Sequence, residues 1–254
     1  PDGARFAAGF LNGDISVINI RDGKEETRLS GHTYLARSLR FTTSGKNLIS
    51  GSWDGTVRAG DIANRSKTGE ITGFSAYIQA MTQSINPHQI FIGVGNQVRV
   101  LDSATLGLVK TMVGSDMVNS VAVTKDGKLA ASGGDKDVSL WDVAAGREKS
   151  RLQGHLKPIY ALTFSPDERY LASGSNDQSI TIWDAASGKQ VVKFTGFPSE
   201  IYSLVYTPDG KYLLAGGDAE VVFVYNMVTN KKEPELWLAA DGVYEMLFLP
   251  NGNL

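Results

Sequence analysis

The sequence of 254 residues contains no cysteine, only three histidines and almost no excess of either charge. Without cysteine there is no disulfide and no thiolate metal site, and the three histidines lie in different parts of the chain. The net charge of −2 gives no general attraction to a phosphate backbone or to anionic lipid. No apolar run approaches the roughly 20 residues of a membrane-spanning helix. We therefore expect no membrane insertion, no cofactor and no metal, and nucleic-acid binding is disfavoured.

The main positive feature is a block that returns about every 42 residues and ends each time in a similar short strand. The penultimate positions of these strands are 18, 60, 101, 141, 183 and 225, so the steps are 42, 41, 40, 42 and 42. Self-similarity at this period predicts a repeat architecture. The six strands are Ile15–Asn19, Val57–Asp61, Val98–Asp102, Val138–Asp142, Ile180–Asp184 and Val222–Asn226.

The fifth block shows the internal plan of one repeat. Four short apolar runs are separated by turns about ten residues apart, with no helical period between them, which predicts four antiparallel strands. These runs are Ile159–Phe164, Tyr170–Gly174, Ile180–Trp183 and Gln190–Phe194. A unit of this size cannot bury both of its faces alone, so the copies are expected to stack on one another around an axis.

These residues resemble the WD-repeat (WD40) β-propeller family. The Gly-His pair that opens a repeat stands at Gly31-His32 and Gly154-His155, and the Trp-Asp pair that closes one stands at Trp141-Asp142 and Trp183-Asp184. The resemblance implies an all-β propeller of four-stranded antiparallel blades. We expect one domain, residues 1–254, in which six blades can be counted.

Two blade counts stay open. The chain begins at Pro1, in the middle of a repeat, and it ends with a predicted first strand at Val243–Phe248. That strand would complete the first block and give a six-bladed ring. The alternative is a parent with seven blades, of which this chain carries six. We expect the chain to be a fragment or a processed form.

The fifth block also contains a serine, a histidine and an aspartate, the residue types of a hydrolase triad. The family resemblance implies a structural role for them instead. In WD-repeat blades the corresponding side chains form a buried hydrogen-bonded chain from indole to hydroxyl to imidazole to carboxylate. The residues here are His155, Ser173, Asp177 and Trp183, with incomplete copies at His32, Ser50 and Asp54 and at Ser132, Asp135 and Trp141.

The resemblance further implies that partners bind the face formed by the loops that enter each first strand. The residues of this chain at those positions include several aromatics, Met and Arg, which are enriched in protein interfaces. They are Leu35, Arg37, Trp53, Tyr77, Met117, Tyr160, Asn176, Tyr202 and Tyr244.

We therefore predict a non-enzymatic scaffold in the cytoplasm that presents an aromatic face to a protein or peptide partner within a larger complex. No small-molecule substrate is evident. Two alternatives remain, an enzyme acting at the central channel and a reader of nucleic acid or modified histones. The sequence offers neither of them a cluster of acids, histidines or basic residues.

Overall fold

Each block supplies short runs of β-branched and aromatic residues between turns rich in glycine, aspartate and serine, and this pattern favours antiparallel strands. In a computed structural model of the protein, which describes residues 3–85, 88–237, 242–243 and 245–246, these runs form strands β1 to β24. Those ranges contain no helix. The predicted all-β class is therefore confirmed.

The chain divides into two compact units. The first comprises residues 1–121 and 125–127, and the second comprises residues 122–124 and 128–254, so the boundary passes through one strand, β12. The expectation of a single domain over residues 1–254 stays a prediction.

The first unit contains three antiparallel sheets, numbered here in chain order. Sheet 1 has β1 (Arg5–Gly9), β2 (Ile15–Asn19) and β3 (Glu25–Leu29). Sheet 2 has β4 (Ala36–Phe41), β5 (Asn47–Ser52), β6 (Val57–Asp61) and β7 (Ser66–Ile71). Sheet 3 has β8 (Ile78–Gln83), β9 (Gln89–Val94), β10 (Gln97–Asp102) and β11 (Leu108–Val113).

Three further sheets follow. Sheet 4 has β12 (Ser120–Val123), β13 (Leu129–Gly133), β14 (Asp137–Asp142) and β15 (Arg147–Gln153). Sheet 5 has β16 (Ile159–Phe164), β17 (Tyr170–Ser175), β18 (Ser179–Asp184) and β19 (Gln190–Thr195). Sheet 6 has β20 (Ile201–Tyr206), β21 (Tyr212–Gly217), β22 (Val221–Asn226) and β23 (Lys231–Lys232), and β24 (Leu236–Trp237) also pairs with β22.

Six sheets with consecutive strands as neighbours confirm the six predicted blades of a WD40 propeller. Five of the six recurring strands found in the sequence are the third strands of their sheets, and the first of them, Ile15–Asn19, is the middle strand of the three in sheet 1. The cores lie between successive sheets of a unit, for example where Ile49 of sheet 2 packs with Ile78 of sheet 3. Between sheets 5 and 6 the same position is taken by Ala172 and Ile201. Each block therefore depends on its neighbour for burial, as stacking requires.

A close approach at one glycine of the second strand repeats between sheets. A Cβ atom on Gly51 would lie 2.5 Å from Cγ2 of Ile78, and one on Gly174 would lie 2.5 Å from Cγ2 of Ile201. Real Cβ atoms do not approach this closely, so sheet stacking requires a glycine at this position.

The segment after sheet 6 contains the same contact. Val243 donates its backbone N–H to the carbonyl of Gly217 at 2.6 Å, and a Cβ atom on Gly216 would lie 2.6 Å from that of Val243. Val243 thus contacts sheet 6 as Ile201 contacts sheet 5. Val243, Glu245 and Met246 are not in a strand, contrary to prediction. The rest of the predicted strand lies outside the described residues, so completion of sheet 1 by this segment stays a prediction.

Candidate protein-interaction site

The polar residues of sheet 5 are joined in one buried chain of hydrogen bonds. The indole Nε1 of Trp183 donates to Oγ of Ser173 at 2.8 Å, and that hydroxyl lies 2.8 Å from Nε2 of His155. On its other side, Nδ1 of His155 lies 3.0 Å from a carboxylate oxygen of Asp177. Asp177 also accepts hydrogen bonds from the backbone N–H of Leu156 and from the hydroxyl of Ser179.

Burial decides the protonation states in this chain. It lowers the pKa of His155 and outweighs the attraction of Asp177, so the imidazole is neutral near pH 7. Burial acts to raise the pKa of Asp177, but hydrogen bonds from Ser179 and Leu156 hold it below its usual value. If the neutral imidazole donates from Nδ1 and accepts at Nε2, the indole, the hydroxyl, the imidazole and the carboxylate each have a hydrogen-bond partner.

The same burial removes the chemistry of a hydrolase triad. Ser173 has no exposed surface, and His155 exposes 4% of its surface. A nucleophile must reach its substrate, and this hydroxyl is instead covered and receives a hydrogen bond from Trp183. Among the described residues, no group of three or more His, Asp or Glu side chains could hold a metal ion.

Sheet 2 contains the network without its indole. Nε2 of His32 lies 2.8 Å from Oγ of Ser50, and its Nδ1 lies 3.0 Å from the carboxylate of Asp54. Hydrogen bonds from Thr56 and from the backbone of Thr33 overcome the effect of burial and lower the pKa of Asp54 to about 2. Sheet 4 keeps the other half, because Nε1 of Trp141 donates to Oγ of Ser132 at 2.8 Å.

The network fixes the turn between the second and third strands, and this turn positions Trp53. The backbone N–H of Trp53 donates to the carbonyl oxygen of Leu35 at 3.0 Å. In sheet 5 the backbone N–H of Asn176, the equivalent residue, donates to the carbonyl oxygen of Pro158 at 2.9 Å. Both side chains have a buried polar atom without a hydrogen-bond partner among the described residues, namely Nε1 of Trp53 and Oδ1 of Asn176. A buried polar group without a partner destabilises a fold, which marks these two turns as candidate binding positions.

Trp53 is the centre of an aromatic cluster in the first unit. Its ring lies 6.0 Å from that of Tyr34, nearly parallel at 18°, and 5.7 Å from that of Tyr77. Tyr34 and Tyr77 expose 50% and 55% of their surfaces. We call these three residues the aromatic cluster. Tyr34 was not among the predicted residues, because it lies one position before the pair expected to point outward in its block.

The second unit contains a pair of tyrosines at matching positions. The rings of Tyr160 and Tyr202 lie 5.6 Å apart. Each residue is the extra one in a β-bulge, between Ile159 and Ala161 in β16 and between Ile201 and Ser203 in β20. A bulge redirects a side chain out of the alternation of its strand. We call Tyr160 and Tyr202 the tyrosine pair.

The remaining predicted residues belong to neither the aromatic cluster nor the tyrosine pair. Arg37 is the extra residue of a bulge in β4 and is half-buried, and Leu35 is half-buried beside Trp53. Met117 is 50% exposed in the loop before β12. Tyr244 lies outside the described residues. The structure therefore describes two groups, one in each unit.

No helix long and apolar enough to cross a membrane occurs in the part of the chain that the structure describes.

The following three proteins are similar to this chain in sequence. U3 small nucleolar RNA-associated protein 15 homolog of Xenopus laevis is 28% identical over 167 residues, which cover 65% of this chain and 32% of that protein. Nuclear distribution protein nudF of Emericella nidulans is 31% identical over 144 residues, or 56% of this chain and 24% of its own. Periodic tryptophan protein 2 homolog of Neurospora crassa is 42% identical over 71 residues, or 28% and 8%. The matched part of the chain thus spans a third or less of the length of these relatives.

The family model for the WD domain, G-beta repeat, matches four segments of the chain, residues 23–59, 107–142, 146–184 and 188–226. Together they cover more than half of the sequence. The closing strands of these segments are β6, β14, β18 and β22, which are the third strands of sheets 2, 4, 5 and 6. This chain belongs to the WD40 repeat family.

Proposed function

We propose that the chain is a non-enzymatic scaffold that binds a protein or peptide partner through the aromatic cluster and the tyrosine pair. The observation that carries the proposal is the position of Trp53. Its ring lies in a turn between two half-exposed tyrosines, and its buried indole N–H has no acceptor among the described residues. A partner that covers the cluster would supply apolar contact and an acceptor.

Aromatic side chains flanked by further aromatics are the usual centres of binding energy in protein interfaces. Tyr and Trp provide a large contact area and lose little conformational entropy on binding. Leu35 and Arg37 belong to the same proposed surface in the first unit, as do Met117 and Tyr77. Asn176 belongs with the tyrosine pair in the second, and Tyr244 remains a candidate from sequence.

The relatives support a partner within an assembly. The name of the Xenopus laevis protein associates it with small nucleolar RNA, and that of the Emericella nidulans protein refers to nuclear distribution. We propose a protein partner for this chain, since 25 basic and 27 acidic residues give no net positive charge for a nucleic acid. A cytoplasmic location likewise stays a prediction.

Affinity purification with the 254-residue chain as bait tests this proposal. Trp53→Ala and Tyr160→Ala, made singly, should each reduce capture of the main wild-type partner at least about tenfold if that group is a hot spot. Matched controls replace one exposed residue of an outer strand in each unit, Val113→Ala and Thr195→Ala, and should capture it as wild type does. Capture by both aromatic variants at the wild-type level, with thermal unfolding midpoints unchanged, would contradict the proposal.

A further inference from the structure

A cleft of about 490 Å³ lies between sheets 5 and 6 of the second unit. It is formed by the turns that follow β16 and β20, by β19 and by the turn after β22. Tyr160 and Tyr202 are near the starts of β16 and β20, whereas the cleft is at the ends of the same strands. The cleft is therefore separate from the tyrosine pair. Its size is in the range of roughly 300–1,000 Å³ that ligand sites occupy.

Tyr206, the last residue of β20, lines this cleft with an unused hydroxyl group. Tyr206 exposes 6% of its surface, and its ring belongs to the core between sheets 5 and 6. The hydroxyl is buried and has no hydrogen-bond partner among the described residues. Burial, with a smaller effect of Asp167, raises the pKa of Tyr206 above its ordinary value, so the group keeps its proton and can donate it to an acceptor.

Two other sheets have phenylalanine, which lacks the hydroxyl, at the position of Tyr206. The equivalent last residue of the first strand is Phe41 in sheet 2 and Phe164 in sheet 5. All three residues face a leucine of the second strand in the same register, namely Leu48, Leu171 and Leu213. Only sheet 6 among these three adds an oxygen atom, and it adds it beside a cleft.

The polar mouth of the cleft is acidic. Asp167 and Asp209 hold equivalent places in the two turns, and Oδ1 of each accepts a hydrogen bond inside its own turn, from Ser165 and Thr207 at 2.6 Å. Asp209 also forms an exposed ion pair with Lys211 at 3.4 Å. Among the described residues no Lys or Arg lines the cleft, although Arg169 lies nearby over the ring of Tyr170. The cleft is thus complementary to a cation.

The remaining lining is apolar and continues outward. Ile182 is buried at the base, Val192 is half-buried, and Val191 and Val228 are 55% and 73% exposed at the rim. An aliphatic group that entered here would be covered on both sides while its attached chain stayed in solvent. This combination fits an extended polypeptide better than a compact charged metabolite.

We propose that the cleft binds a linear segment of a partner protein that has an aliphatic side chain next to a Lys or Arg. The aliphatic side chain enters between the sheets, a backbone carbonyl accepts the Tyr206 hydroxyl, and the cation pairs with Asp167 and Asp209. This site goes beyond the scaffold surface and does not depend on it, since no residue is shared.

The test is selection of a phage-displayed library of random dodecapeptides on the 254-residue chain, followed by titration of the enriched peptide in synthetic form. Enriched sequences should contain an aliphatic residue beside Lys or Arg. Tyr206→Phe should weaken that peptide about fivefold, the effect of one hydrogen bond, and Asp167→Asn with Asp209→Asn should weaken it about tenfold. The asparagine variants retain the Oδ1 acceptor of each turn.

Tyr206→Phe should also unfold at the same temperature as wild type or higher, because it removes a buried hydroxyl without a partner. A structural role for the hydroxyl would lower that temperature instead and would overturn the proposal. So would the absence of enriched cationic peptides, or equal affinity of the peptide for wild type and Tyr206→Phe. Tyr160→Ala must bind the peptide as wild type does, which separates failure of this site from failure of the scaffold proposal.

Discussion

Sheets 2 and 5 form the same hydrogen-bonded set of histidine, serine and aspartate, but only in sheet 5 does a tryptophan join it. In both sheets the histidine Nε2 lies 2.8 Å from the serine hydroxyl, and its Nδ1 lies 3.0 Å from an aspartate oxygen. Where sheet 5 has Trp183, sheet 2 has Gly60. The polar set is therefore built by the opening loop, the second strand and the turn after that strand, and the indole is an addition to it.

The space left at Gly60 is filled in another way. Cδ1 of Leu29 lies 2.8 Å from where a Cβ of Gly60 would be, so sheet 1 supplies an apolar group there. The guanidinium of Arg58 covers Gly31 and pairs with Glu70 at 2.8 Å. A cavity of about 60 Å³ remains beside these groups. Sheet 4 has a leucine at the same register position, Leu152, which belongs to one core cluster with Trp183. The leucine is therefore common to both contacts, and the pair of Arg58 with Glu70 distinguishes sheet 2.

Trp183→Gly should have the largest effect on the stability of the chain. It would give sheet 5 the residue of sheet 2 without the arginine of that sheet, since Thr181 stands at the position of Arg58, and it would remove a side chain that is 2% exposed. We expect a loss of about 3–5 kcal/mol in the free energy of unfolding, measured by chemical denaturation. Trp53→Gly is the control, since this residue lies in a half-exposed turn, and its loss should be clearly smaller. Equal losses would mean that the two tryptophans are equally integral to the fold.

The pH dependence of stability tests what the two sheets share. Burial lowers the pKa of both His32 and His155 below 6.5, so the unfolded chain binds more protons than the folded one. Stability is therefore full above pH 6.5 and falls as the pH drops below it, by up to about 1.4 kcal/mol per pH unit for each histidine. Denaturation at pH 7.5 and pH 5.5 should show a smaller decrease for His32→Gln with His155→Gln than for wild type.

His88→Gln is the control for that measurement, because His88 belongs to neither network. It should retain the wild-type decrease between the two pH values. An unchanged decrease in the double variant would show that other groups cause the acid sensitivity. Asp54, with a pKa of about 2 in place of 3.8, acts in a separate window, since its contribution is lost only as the pH falls from 3.8 toward 2.

The sequence predicted what depends on local pattern. The period of about 42 residues located one strand in each of the six sheets, the third strand in five of them, and strands β16 and β19 of the fifth block were placed to within one residue. His155, Ser173, Asp177 and Trp183 are hydrogen-bonded in the order that the resemblance implied. Such features repeat, so each copy supports the interpretation of the others.

Features produced by contact between blocks could not be predicted in this way. The bulges that turn Tyr160 and Tyr202 outward depend on strand register, and the stacking of Tyr34 on Trp53 depends on the path of one loop. The approach of Leu29 to Gly60 is a contact between two sheets. Tyr206 differs from the equivalent Phe164 by one oxygen atom. The sequence alone does not show that Tyr206 lines a cleft or that its hydroxyl has no hydrogen-bond partner among the described residues.

The smallest expected effect on stability concerns the residue after the turn aspartate. Gly55 in sheet 2 has a φ of 76°, and Gln178 in sheet 5 has a φ of 61°, a region that favours glycine. Gln178→Gly should therefore stabilise the chain by about 0.5–1 kcal/mol in chemical denaturation, after the entropy that glycine loses on folding. Gly55→Gln, the reverse change, should destabilise it by more, because a Cβ there would lie 2.7 Å from the carbonyl oxygen of Phe74. If both substitutions destabilised the chain equally, Gln178 would be held by contacts of its side chain, and the two turns would differ in more than backbone conformation.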